Sequence, residues 1–227
     1  MIKYQKIAIH TIRTILLLSI SITIFSLERR NPEPSQGFFL DIIYKYNHLT
    51  YIAILLTTII AIAYYFIKKY RIVKKIYFLF LPPIFSINIA VTVIYWTLYN
   101  LNAEYVHSKS RLTPESKDHL ITNLFKHGFP MVLTFIDMLF LVDIKSKKIY
   151  YLLVISFTNI YMIWCYFCKI FTKSLPYGFL KGKGFLFVFM FFNCCAILFS
   201  LILLFFFLTK SKIQKILEIR RNNKIIS

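Results

Sequence analysis

Six uninterrupted apolar stretches, each near the length that crosses a lipid bilayer, constrain this chain more than any other feature. A membrane helix needs roughly 20 mostly apolar residues at about 1.5 Å rise each. The stretches run Ile7–Leu27, His48–Ile67, Ile76–Leu98, Leu120–Val142, Ile149–Phe171 and Gly184–Thr209. The fairly apolar segment from Phe38 to Asn47 allows an earlier start for the second. There is no period-two alternation with regular turn signals, which argues against a membrane β-barrel. The 227 residues are 58% hydrophobic, with a mean hydropathy of +0.64, whereas soluble domains are about 45–50% apolar. That excess excludes a soluble enzyme, a disordered chain and a collagen-like fibre. The expected fold is all-α: one domain over residues 1–227, with six transmembrane helices in a single bundle.

Charge supplies the orientation. The chain carries 28 Lys+Arg against 9 Asp+Glu, a formal net charge of +19. No basic cluster is interleaved with aromatics on a polar segment, so nucleic acid is set aside as a partner. The N-terminal tail, the second and fourth loops and the C-terminal tail hold 16 Lys/Arg, and the other three loops hold 9. Positive charge accumulates on the cytosolic side, so both termini are expected in the cytosol. Lys3 and Lys6 precede the first stretch as in a signal peptide. That stretch is long, however, and is followed by Glu28-Arg29-Arg30 rather than a small-residue cleavage site, so it reads as a retained helix. The densest cluster, Lys68-Lys69-Tyr70-Arg71 through Lys74-Lys75, reads as a stop-transfer signal touching lipid headgroups. The expected setting is a multi-pass protein of the endomembrane system, the endoplasmic reticulum or the plasma membrane, with membrane lipids as its surroundings.

Ionisable groups inside a span cost about 2.5–3.5 kcal/mol on insertion scales and therefore mark places of interest. The fourth stretch is richest in polar groups, with Asn123, Lys126, His127, Thr134 and Asp137. At 100° per residue, Asn123, His127 and Thr134 share a stripe that should face the bundle interior. Lys126 is expected to snorkel outward. Asp137 is expected to pair with Lys126 or Lys169. Pro130 cannot donate to the carbonyl of Lys126, so a kink is expected there. On residues alone, His127 either bonds a neighbouring helix or serves as a base or ligand. Thr50, near the start of the second stretch, ordinarily bonds back to its own helix. Both spans enter from the side opposite the cytosol. His127 lies seven residues in, about 10 Å deep, so the two groups can share one leaflet.

Signals for metals and cofactors are weak. Cys165 and Cys168 have zinc-like spacing but lie in an apolar helix without a second pair, and Cys194 and Cys195 adjoin each other. No disulfide framework, metal or cofactor is expected. No phosphate-binding, dinucleotide or serine-hydrolase motif occurs, and Tyr177-Gly178 with Lys181-Gly182-Lys183-Gly184 reads as a turn.

The joint order of several residues resembles the androgen-induced protein family of six-span membrane proteins, which includes the androgen-dependent regulator of tissue factor pathway inhibitor. The resemblance covers about Tyr46 to Thr209. It rests on Tyr46-Asn47-His48-Leu49-Thr50-Tyr51, on Pro82 followed by Tyr95-Trp96-Thr97-Leu98-Tyr99-Asn100-Leu101-Asn102, and on Asn123-Leu124-Phe125-Lys126-His127 with Pro130. Leu124 stands where animal members usually have a second His. The stretch after the fifth helix is represented only by Leu175-Pro176-Tyr177. Members with an assigned activity are threonine hydrolases that cleave fatty acid esters of hydroxy fatty acids. The resemblance implies Thr50 as nucleophile and His127 as general base, a lipid ester as substrate and no cofactor. Asn123 and, second, Asn88 are the candidate oxyanion donors. The alternative is a transporter, channel or lipid-binding scaffold that keeps the fold without the chemistry, with Asp137, Lys126 and Lys169 marking an ion path.

Overall fold

A computed structural model describes residues 3–30, 49–101, 120–141, 144–173, 175, 177–180 and 182–226. The α-helices are α1 (Lys3–Arg30), α2 (Leu49–Phe66), α3 (Arg71–Leu101), α4 (Leu120–His127), α5 (Phe129–Ile136), α6 (Lys148–Thr172) and α7 (Phe185–Ile226). A π-helical turn, Asp137–Leu141, extends α5, and a short 3-10 turn, Gly178–Leu180, precedes α7. No strand occurs among the described residues. Among the described residues, four helices are long and apolar enough to cross a membrane: α2, α3, α6 and α7 over Phe185–Ile213. The first and fourth stretches are helical as well, with shorter apolar segments at Ile7–Ser21 and Phe129–Phe140. An earlier start for the second helix, His48 and the approach from Tyr46 lie outside the described residues.

The fourth stretch is two helices rather than one. Pro130 lacks the N–H that would continue the ladder, and the chain turns at Gly128. A Cβ at Gly128 would sit 2.9 Å from the Leu124 carbonyl oxygen, so the turn needs a residue without a side chain.

The bundle is built around α3, which packs against α2, α4, α5, α6 and α7. Tyr77, Leu81 and Phe85 of α3 are fully buried and form a core with Val154 of α6 and Phe199 and Leu203 of α7. Pro82 and Pro83 lie inside α3, and the Ser86 hydroxyl bonds back to the Pro83 carbonyl at 2.9 Å. The distribution of polarity is the reverse of that in water. Ile15, Ile59, Val93, Leu152, Ile163 and Phe205 face outward, while Arg13, Thr57, Asn88, Asn123, Thr134 and Asp137 are buried. In water the outer face would be the polar one; an apolar exterior over a hydrogen-bonded polar interior is what a hydrocarbon solvent selects.

Asp137 pairs with Arg13 of α1, not with Lys126 or Lys169. Arg13 Nε donates to Asp137 Oδ1 at 2.6 Å and Nη2 to Oδ2 at 3.0 Å. The Tyr77 hydroxyl donates to Oδ2 at 3.0 Å, and Nη2 also reaches the Ala61 carbonyl of α2 at 2.9 Å. The guanidinium lies over the Tyr64 ring, 4.3 Å from its centroid. Helix geometry explains the correction. Lys126 is eleven residues upstream, about 16 Å along the axis. Lys169 sits near the far end of α6, about 30 Å from the start of that helix. The π-helical turn widens the backbone beside Asp137, and the buried Lys210 ammonium donates to the Met138 carbonyl at 2.9 Å.

Removing one member of such a pair leaves a buried charge without its counter-ion, which costs about 3–5 kcal/mol. Arg13→Leu is therefore expected to lower the thermal unfolding midpoint of the detergent-solubilised protein strongly. Arg13→Leu/Asp137→Leu is expected to regain most of that loss.

Candidate active site

The start of α2, the end of α3 and the end of α4 meet at the opposite end of the bundle from the ion pair. Thr50 lies at the start of the described part of α2, where the Leu49 N–H donates to the Tyr177 hydroxyl at 3.3 Å. Tyr177, in the connection between α6 and α7, in turn contacts the Tyr161 hydroxyl of α6 at 3.1 Å. Removal from water pushes the Tyr177 hydroxyl well above its ordinary range, so it stays protonated.

His127 is the last residue of α4, just before the break at Gly128, and is 8% exposed. Its Nδ1 lies 3.4 Å from the Thr50 Oγ1, although 77 residues separate the two in sequence. Tyr95 of α3 stacks flat on the imidazole, with ring centroids 3.4 Å apart and planes within 7°. The Thr92 hydroxyl, also on α3, donates to the His127 carbonyl. Ring and backbone of His127 are thus held by the same helix, one turn apart on α3.

Thr50 opens onto a cavity of about 80 Å³, lined among others by Tyr95, Phe157, Tyr161, Tyr177, Phe191 and Phe192. His127 is not among the lining residues. Thr50 therefore borders both the cavity and the imidazole. In the tautomer whose Nδ1 accepts from the hydroxyl, this arrangement raises the hydroxyl's nucleophilicity.

The other predicted residues are placed differently. Asn123, one turn before His127 on α4, is 2% exposed. Lys126 is also buried, at 7%, instead of snorkelling outward. The interior face of α4 takes in positions 123, 126 and 127, wider than the stripe drawn through an unbroken helix. Asn88 is not brought to Thr50. Its Nδ2 donates to Thr57 Oγ1 at 2.7 Å, with the Pro130 carbonyl at 3.2 Å and Thr134 Oγ1 at 3.3 Å. Thr57 is seven residues from Thr50, about 10 Å along α2. Asn88 joins α2, α3 and α5 at mid-bundle, away from the oxyanion position expected of it. All four cysteines are free thiols, and no group of three metal-binding side chains gathers among the described residues.

The sequence profile of the FAR-17a/AIG1-like protein family matches residues 6–210. The chain belongs to the FAR-17a/AIG1-like family. That is the androgen-induced protein family whose residues the sequence resembled. No curated protein and no solved structure matches the chain.

Within this FAR-17a/AIG1-like chain, Tyr95, Thr92 and Tyr177 escaped the reading of site residues. Tyr95 and Thr92 are three apart, so they lie on one helical face, and that face points to His127. Tyr177 reads as an ordinary turn residue in sequence because its partner, the Leu49 amide of α2, is 128 positions away.

Tyr177→Phe removes the acceptor for the part-buried Leu49 amide, a loss of about 0.5–1.5 kcal/mol for an ordinary hydrogen bond. It is expected to speed hydrogen exchange at Leu49 and to lower the unfolding midpoint modestly, as read by exchange mass spectrometry and thermal melting.

Proposed function

We propose that the protein is an intramembrane ester hydrolase in which Thr50 is the nucleophile and His127 the general base. The observation that carries this reading is the 3.4 Å approach of the hydroxyl to Nδ1 at the wall of an apolar cavity. The reading includes six spans, although four helices meet the length and composition of a span by themselves, and places both termini in the cytosol.

The chemistry follows from those two groups. Nδ1 accepts the Thr50 proton as Oγ1 attacks the ester carbonyl carbon, and the carbonyl π pair moves onto its oxygen. The tetrahedral adduct collapses, and the alcohol leaves with the proton that His127 gives back. An acyl-threonine remains. Water then attacks it with His127 as base, and the acid departs while Thr50 regains its hydrogen. Each imidazolium formed on this path lies against the face of Tyr95, and a cation over an aromatic face gains about 0.5–2 kcal/mol. Asn123 is the donor assigned to the developing oxyanion; such a donor is worth about 3–4 kcal/mol in a known hydrolase.

The cavity is smaller than the roughly 300–1,000 Å³ of a drug-sized pocket. It admits the ester and the adjoining methylenes, while the rest of a lipid substrate stays among the outward-facing apolar side chains. This fits a branched lipid such as a fatty acid ester of a hydroxy fatty acid, already dissolved in the bilayer. The competing reading as an ion path gains nothing from Asp137, which is held by Arg13 and Tyr77.

Purified protein, assayed on such an ester, is expected to lose at least about a thousandfold in kcat/KM with Thr50→Ala or His127→Ala. Thr50→Ser is expected to keep measurable turnover. Full activity in either alanine variant refutes the dyad.

A further inference from the structure

A second, chemically distinct concavity lies at the end of the bundle remote from Thr50. It has a volume of about 550 Å³, in the range of small-molecule sites, and is lined by Arg71, Lys74, Lys75, Phe78, Leu79, Lys147, Ile149 and Tyr150. Half of these residues are cations, and none is acidic. A topology signal requires positive charge only somewhere in a cytosolic loop. Here the start of α3 and the residue before α6, more than 70 positions apart, bring their charges to one recess with an aromatic and aliphatic floor. Tyr150 is buried and stacked on Phe207, so the floor belongs to the packed core.

The local backbone sharpens the charge. Arg71 opens α3, and Lys147 caps the start of α6. Neither helix has an acidic residue in its first turn, and the Lys147 side chain makes no capping bond. Helix N-termini carry partial positive charge and ordinarily recruit Asp or Glu. Cations there repel the helix dipoles, and a bound anion relieves both repulsions at once.

We propose that this recess binds the phosphate-monoester headgroup of an anionic membrane lipid. Arg71, Lys74, Lys75 and Lys147 neutralise the phosphate, and Phe78, Leu79 and Ile149 border its glycerol end. The acyl chains continue along the exposed Ile72 and Ile76. A lipid is favoured over a soluble phosphate because half of the lining is apolar and adjoins the lipid-facing surface.

The test uses the full chain in detergent, with dioctanoyl phosphatidic acid, dioctanoyl phosphatidylserine and glycerol phosphate as titrants in calorimetry. Phosphatidic acid is expected to bind tightest. Lys74→Gln/Lys147→Gln is expected to weaken it by about twentyfold, from the ordinary contribution of a basic residue near an anionic headgroup. Lys68→Gln/Lys69→Gln, which removes equal charge from the same end but outside the recess, is expected to change it by less than about twofold. Equal losses in the two double variants would reduce the effect to diffuse electrostatics and overturn the site. So would equal affinity for phosphatidylserine. Glycerol phosphate binding as tightly as the lipid would overturn the lipid as occupant.

Discussion

Arg13 and Asp137 meet inside the bundle as a buried pair, each supplying the hydrogen bonds that water would otherwise give the other. Both are essentially inaccessible, at 0% and 1% exposure, and burial of either charge alone would be prohibitive. Their contact therefore fixes which face of α1 meets the end of α5. It also draws in α2 through the Ala61 carbonyl and α3 through the Tyr77 hydroxyl. Four elements are registered against one another at that level. About one turn away along α2 and α5, Asn88 repeats the device with neutral groups, linking Thr57 of α2 to Pro130 and Thr134 of α5. The Thr50–His127 approach forms a third polar level, where α2 meets α4. With α2, α3 and α5 registered by two lower levels, little freedom remains for how deep Thr50 and His127 sit.

The break between α4 and α5 is the complementary element. A continuous fourth helix would project His127 along the direction set by α5. Gly128 and Pro130 release that constraint, and Thr92 and Tyr95 of α3 then hold the backbone and ring of His127. The Thr50–His127 contact is thus framed by a helix to which neither residue belongs, which gives α3 its central place in the core and beside that contact.

What the sequence reveals, and what it does not, follows from the difference between a face and a neighbour. The six apolar stretches and the helical fold were legible because composition and length report the solvent directly. The burial of Asn123, His127 and Thr134 was legible because a 100° period identifies a face. Pairings were not. Arg13 and Asp137 are 124 positions apart, and no period states which face meets which. Asp137 was accordingly assigned to Lys126 or Lys169, though axial distance alone argued against both. Asn88 shows the same limit: an asparagine in a span announces a hydrogen bond without naming the partner. The Thr50–His127 juxtaposition was anticipated chiefly through family resemblance, since Thr50 by itself looks like any helix threonine.

The two ends of the molecule divide its chemistry: a hydroxyl and an imidazole behind an aromatic chamber at one, paired and unpaired positive charge at the other. The hydrolysis proposed for the first end turns on a covalent bond. Incubation with a slowly turned-over fatty ester, rapid quenching and peptide mass spectrometry would locate any acyl adduct. The account requires the acyl group on the peptide that contains Thr50, accumulating when His127 is replaced by a weaker base and disappearing on hydrolysis. Turnover without an adduct at Thr50, or an adduct on another residue, would contradict it.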